Sequence, residues 1–182
     1  MLKISALVVL LVCCAAPSFG QSFLLVQGEV AEPTNAFRTS AGTGYGVRAT
    51  YMHFVSSHVA LSGSAGYTRW GSRSNLPPNN EYRVVAVPVL LGGDILLSKA
   101  IVAPYIGLAL GLDYFRVRGI APNSTTYADE SEVHFVFSPH VGVGVHIAGP
   151  LGVVMTGSYT VIYTPSSPSK FFGLGLGIAA AL

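Results

Sequence analysis

Two groups of side chains in this 182-residue chain have the types and spacing for chemistry. Ser138 and His140 flank Pro139, and Ser158 lies in the next segment of alternating polarity. A serine hydroxyl beside an imidazole is the minimum for acyl transfer, in which the ring takes the proton as the oxygen attacks a carbonyl. No carboxylate to orient His140 is evident nearby in the sequence, and polar side chains lining an interior are the commoner case, so these three are weak catalytic candidates. The second group is Glu29, Arg48 and Asp113, single charges set in apolar and glycine-rich runs. Placed inside a protein they must be paired or wet, which makes them candidates for an interior ion pair or network, with a narrow pore as the alternative. His58, His134 and His146 have no partner at metal-ligand spacing, so neither a metal site nor a cofactor is expected.

The elements that must position these residues have a period of two. In the last segment Phe172, Leu174, Leu176, Ile178, Ala180 and Leu182 share one face, and Gly173, Gly175, Gly177, Ala179 and Ala181 share the other. A helix would mix these sets, and its three glycines would weaken it. Likewise Ile106, Leu108, Leu110, Leu112 and Tyr114 oppose Gly107, Ala109, Gly111 and Asp113. Phe135, Phe137, Val141, Val143 and Val145 oppose Ser138, His140, Gly142, Gly144 and His146. Val153, Met155, Tyr159 and Val161 oppose Thr156, Ser158 and Thr160. Two earlier segments, around 44–51 and 59–68, alternate in the same way, and a short one at Phe23–Val30 sets Leu24, Val26 and Val30 against Gln27 and Glu29. The segment 82–95 is apolar on both faces, so its orientation is not readable. That makes eight strands, with Glu29, Arg48 and Asp113 on the glycine-rich face. Pro88, Pro104 and Pro139 each remove a ladder donor, and bulges or strand ends are expected there.

The connections alternate in length. Long ones are 31–41, 71–81, 119–132 and 164–169; short ones are 55–57, 97–99 and 148–150. Such asymmetry is what a meander produces when its two rims face different compartments. With the N-terminus on the periplasmic side, Tyr67, Trp70, Tyr82, Tyr114, Phe115, Phe135, Phe137, Tyr163, Phe171 and Phe172 fall near the outer rim. Phe23, Tyr51, Phe54 and Tyr105 fall near the other, giving two aromatic girdles.

Residues 1–20 read as a signal peptide, with Lys3, an apolar run over Ile4–Ala16, and Ser18 and Gly20 before a cut at Gln21. Both cysteines lie in that leader, so residues 21–182 form one domain with no disulfide and no thiolate chemistry. Ten basic residues less Lys3 leave nine against eight acidic ones, a balance that offers no footprint for nucleic acid. Only 10% of the chain is charged and mean hydropathy is +0.54, far greasier than a soluble domain, yet polarity breaks the apolar runs at every second residue. That pattern belongs to lipid-facing strands and not to spanning helices.

Three stretches carry a resemblance: Val87-Pro88-Val89-Leu90-Leu91-Gly92-Gly93-Asp94, then Ala103-Pro104-Tyr105-Ile106-Gly107-Leu108-Ala109-Leu110-Gly111, then Phe171–Leu182. The chain resembles the small outer-membrane β-barrel superfamily, of the OmpA-transmembrane-domain and OmpX type. The resemblance implies an all-β, eight-stranded antiparallel up-and-down transmembrane β-barrel in the outer membrane of a Gram-negative bacterium, porin-like in architecture, with both termini periplasmic. It also implies contact with outer-membrane lipids and lipopolysaccharide, and insertion by the barrel-assembly machinery. The expected function is structural or surface-interacting and not enzymatic, with any ligand held by the long connections. The alternatives are a lipid A-modifying acyl hydrolase or transferase using the serine–histidine group, a narrow pore, and a soluble lipocalin-like carrier. The deacylase pattern of such barrels has histidine two residues before serine, and here the order is reversed.

Overall fold

The computed structural model describes residues 21–72, 83–120, 127–164 and 168–182. The leader, most of 71–81, and Tyr82 lie outside the described residues, as do 121–126 and 165–167.

Period-two alternation cannot be buried on one face of a single strand, so the chain pairs each strand with the next. The strands are β1 Ser22–Thr34, β2 Ala41–Phe54, β3 Val59–Ser72 and β4 Arg83–Leu96, then β5 Val102–Ile120, β6 Tyr127–Ala148, β7 Leu151–Tyr163 and β8 Ser169–Ala181. Each is antiparallel to its neighbours, and β1 pairs with β8 from Phe23↔Ala181 to Thr34↔Lys170, closing an eight-stranded barrel in sequence order. Closure leaves no open edge, which is the condition for a sheet to sit in lipid. The start of β1 and the end of β8 lie on the rim of the short turns.

The outward face is apolar on every strand. Leu174, Leu176 and Ile178 are 58–63% exposed, and Val47, Leu61, Leu91, Leu112, Val141 and Met155 continue that surface round the barrel. On β5 the outward run Ile106–Tyr114 spans nine residues, the length that crosses a hydrocarbon core when tilted. β4, ambiguous in sequence, sends Val87, Val89, Leu91 and Ile95 out and Val84, Ala86, Pro88, Leu90 and Asp94 in.

Three expectations are corrected. Pro88 and Pro139 produce neither bulges nor strand ends. The β3–β4 and β6–β7 ladders skip two residues beside them and resume in the same register, while the partner ladders on β5 run through. A proline lacks only the bond on the side its N–H would have faced, so one ladder suffers and the other holds the strand. Pro104 pairs with Val143 near the start of β5. The register shifts lie elsewhere, at Ala41/Gly44 and His146/Ala148.

The long connections are shorter than expected. β1 runs to Thr34, a four-residue helix α1 (Phe37–Ser40) follows Asn35 at φ 52°, and β2 begins at Ala41. β8 starts at Ser169, and most of 119–132 is strand, an arm carrying the β5–β6 ladder out to Ile120↔Tyr127. Polar composition suggested a loop there. Cross-strand pairing holds it instead, with Arg116 and Arg118 on Asp129 at 2.9 Å and 3.3 Å. The Asp129 carboxyl is held below its usual range, first by the Arg116 hydrogen bond and also by the Arg118 charge. At the opposite rim Gly149 takes φ 54° in the β6–β7 turn, a left-handed geometry that costs glycine nothing.

The third correction concerns the girdles. Trp70, Phe115 and Phe171 are 0%, 7% and 4% exposed and point inward. Phe37 of α1 folds over them, with Phe37–Trp70 and Trp70–Phe171 ring centroids at 5.4 and 5.1 Å. The Trp70 indole N–H donates to the Ala31 carbonyl at 3.1 Å, and Gly44 lies beneath the indole where a Cβ would collide. With Val84, Leu90, Val136 and Ile162 these rings form an apolar plug across the long-connection half of the lumen. Tyr105 also points inward. Of the expected outer girdle, Tyr67, Tyr114, Phe135, Tyr163 and Phe172 are exposed on the outward face, and Tyr45, not among those expected, joins them.

Candidate functional site

Below the plug the lumen is polar. Inward positions of seven strands supply Gln27 and Glu29 (β1), Arg48 and Thr50 (β2), Ser62 and Ser64 (β3), Asp94 (β4), Tyr105 (β5), His140 (β6), and Thr156 and Ser158 (β7). They surround a cavity of about 50 Å³, polar and large enough to hold water. Small residues on the remaining inward positions make this space. Gly142 leaves room for the Tyr105 ring, which a Cβ there would strike.

Glu29 and Arg48 sit on adjacent strands two residues off direct register, Gln27 being the partner of Arg48. Arg48 Nη2 is 3.0 Å from Glu29 Oε2 and donates to Oε1 at 3.2 Å, with the side chains 13% and 3% exposed. The single nitrogen spans both oxygens and the fork is not fully used. Glu29 Oε2 lacks a hydrogen bond of good geometry, and Arg48 Nε lacks a partner among the described residues. Both face a cavity large enough for water, which suits a desolvated pair better than a dry wall. Asp113 joins no ion pair among the described residues. It is 2% exposed, pairs in register with His134 and Pro88, and leaves Oδ1 without a hydrogen bond at the boundary between plug and pocket.

The serine–histidine group is arranged against acyl transfer. His140 and Ser158 are direct register partners, yet no hydrogen bond links the ring to either serine hydroxyl among the described residues. The Ser138 hydroxyl pairs with Thr160 at 2.9 Å. His140 Nε2 meets Asp94 Oδ1 at 2.7 Å, and Nδ1 faces the Ser138 carbonyl oxygen at 3.2 Å. Both ring nitrogens are engaged by oxygen atoms of other groups, and neither faces a serine hydroxyl. The group also points into the lumen, away from the lipid-facing surface where an acyl chain would lie.

Asp94 is the residue that sequence reasoning missed, and with Ser62 donating to its Oδ2 at 2.8 Å it completes a Ser62–Asp94–His140 chain. A signal was present: Pro88, Gly92 and Asp94 share one parity, opposite Val87, Val89 and Leu91. Tyr105 was assigned by height to a girdle, although it shares parity with Gly107 and Gly111. Its hydroxyl pairs with Thr156 at 2.6 Å, and Thr156 donates to Gln27 Oε1 at 3.5 Å.

No family model matches the chain, and no curated protein matches it in sequence. Solved structures do. Neisserial surface protein A superposes with TM-score 0.63 at 13% identity, over 87% of this chain and 96% of that one. Ail, the attachment invasion locus protein of Yersinia pestis, solved with the heparin analogue sucrose octasulfate, gives 0.58 at 15% identity over 90% and 99%. The outer membrane protein OprG of Pseudomonas aeruginosa gives 0.57 at 10% identity over 90% and 96%. At these identities the likeness speaks for architecture, and it agrees with the closed meander derived above: the chain has the fold of the small eight-stranded outer-membrane β-barrels.

Proposed function

We propose that this protein is an integral outer-membrane barrel with a structural or surface-interaction role, its long-connection rim toward the cell exterior and both ends of the barrel periplasmic. The observation that carries this reading is the outward face, a continuous apolar belt on all eight strands of a barrel with no open edge. Water would oppose such a surface, and a bilayer stabilises it. A soluble carrier needs the reverse arrangement, an apolar pocket inside and a polar exterior. The polar cavity and the exposed leucines oppose that alternative. The pore alternative is opposed by the plug, where the Trp70 ring is fully buried between Phe37 and Phe171. The acyl-transfer alternative is opposed by the engaged ring nitrogens of His140.

Boiled and unboiled protein from isolated outer membranes, compared on a gel, provides the test. A heat-modifiable band in that fraction is expected, because a folded barrel resists detergent until heated. Protein recovered folded and soluble without detergent would overturn the assignment.

A further inference from the structure

The apolar belt runs all round the barrel but is not equally tall. On β1–β2 it is bounded by the register pairs Leu24↔Tyr51 below and Val30↔Tyr45 above, six residue steps apart. On β5–β6, the opposite wall of the closed barrel, the bounding pairs are Val102↔Val145 and Tyr114↔Val133, twelve steps apart. At a rise of ~3.3 Å per residue and a tilt of ~40°, those steps are about 15 Å and about 30 Å of height. The short belt is drawn in at both ends. The ladder row that leaves β1 at Leu24 passes Leu110 on β5 and returns to β1 at Thr34, ten residues higher. Each strand along the row therefore climbs about 3 Å, and Leu110 stands about 12 Å above Leu24. Val102 then lies about 7 Å below Leu24, and Tyr114 about 7 Å above Val30. Tilting the barrel moves both ends of a wall the same way, so no tilt can level these two walls in a flat bilayer.

We infer that the β1–β2 wall holds the bilayer locally thinned, its lipid packing in a core about half as thick as beside β5–β6. The inference rests on the outer-membrane reading above and gives its lipid partner a one-sided form. Polar groups close the short belt at both ends. Below, Ser22 Oγ lies 2.9 Å from the Tyr51 hydroxyl and 3.0 Å from His53 Nδ1. Above, the Thr43 hydroxyl donates to Glu32 Oε2 at 2.8 Å. These groups stand at heights where β5–β6 still present valine and tyrosine. Beyond His53 the face turns apolar again only at Val55, in the turn. A flat core as tall as the β5–β6 belt would leave the Glu32 carboxylate in hydrocarbon, whereas a bilayer deforms at modest cost for each ångström of mismatch. Tyrosine settles at the lipid–water boundary, and β2 carries one at each end of the short belt, Tyr45 67% and Tyr51 39% exposed. That pair marks two boundaries close together and favours lipid over a second copy of the chain against this wall.

The test uses the mature barrel, residues 21–182, which holds no cysteine, folded into phosphatidylcholine vesicles with a core of ~30 Å. Single cysteines carrying a fluorophore are placed at Val30 and Leu24 on the short wall. Their counterparts are Leu112 and Ile106 on β5, at matching heights within about 3 Å. Lipids with quenchers at defined positions along the acyl chain read the depth of each probe. The Val30→Cys probe should lie at least about 5 Å closer to its headgroups than Leu112→Cys, and Leu24→Cys closer than Ile106→Cys by the same margin. Equal depths at either end overturn the inference, and so do differences of opposite sign at the two ends, the mark of a tilt in a flat bilayer. It is also overturned if no lipid quencher reaches the β1 probes and Gly28→Cys forms disulfide-linked dimers in the vesicles, because a second copy then covers the wall. Glu32→Leu/Thr43→Val removes the upper polar boundary alone. With the protein still heat-modifiable, it should deepen the Val30 probe by about half the difference from Leu112 or more and leave the Leu24 probe in place. A Val30 probe that does not move overturns the inference. Failure of the outer-membrane reading is distinct, because the heat-modifiable band would then be missing from outer membranes, whatever the depths in vesicles.

Discussion

The two halves of the lumen are built from the same strands and filled by opposite rules. Toward the long connections, Trp70, Phe37, Phe115 and Phe171 fill the cross-section with rings and exclude water. Toward the short turns, Glu29–Arg48, Ser62–Asp94–His140 and Tyr105–Thr156–Gln27 surround a cavity of about 50 Å³. In the first half stability comes from shape, and in the second from mutual satisfaction of polar groups. The lesson is that an eight-stranded barrel can close its interior in either way, and the way chosen decides what each substitution does.

The contrast can be broken most severely in the plug. Trp70→Ala should destabilise the folded barrel by about 3–5 kcal/mol, read from the urea midpoint in micelles or vesicles, because a fully buried ring leaves a cavity its neighbours cannot fill. In the pocket the mechanism differs. Glu29→Leu should cost about 2–4 kcal/mol by leaving Arg48 desolvated and unpaired, whereas Glu29→Leu with Arg48→Met should recover most of that loss. If the double replacement is as damaging as the single one, the pocket is held by packing and the contrast fails. A smaller effect sharpens it: Tyr105→Phe keeps the ring over Gly142 but removes its bond to Thr156, and should cost about 0.5–1.5 kcal/mol.

The smallest effect belongs to the arm outside the barrel. The Asp129 carboxyl sits below its ordinary range, so its pairing with Arg116 and Arg118 is fully present above the unfolded carboxylate value of about 4 and is lost as pH falls through the lower folded value. Acidification should therefore speed amide exchange, corrected for its intrinsic pH dependence, at Arg116 and Arg118 before it touches Trp70. The expected change is modest, since the pair is exposed and screened.

Much of the barrel could be read from side-chain parity. Wherever large apolar residues alternated with glycine, serine or threonine, as in β5 and β8, the two faces followed directly. β4 failed because Val84 to Leu91 is apolar at both parities, and that ambiguity concealed Asp94. The girdle assignment failed for another reason. Trp70, Phe115, Phe171 and Tyr105 were placed by height along the strand, but a girdle position requires height and face together. Their parity with Thr68, Asp113, Gly173 and Gly107 pointed inward. Phe37 was illegible because its placement depends on a four-residue helix folding back over the mouth, which no strand period encodes.

The sequence by itself determined the all-β class, the number of strands and the inward position of Glu29, Arg48, Asp113, Ser138, His140 and Ser158, because alternation is a local property of the chain. Only the tertiary structure decided which of these meet. Register brings Arg48 to Glu29 and leaves Asp113 apart, and it sets Asp94 and His140 in one row on either side of Gly107, whose missing side chain lets them meet. Contacts between strands depend on stagger and curvature, which are set by all eight strands together and by no segment alone.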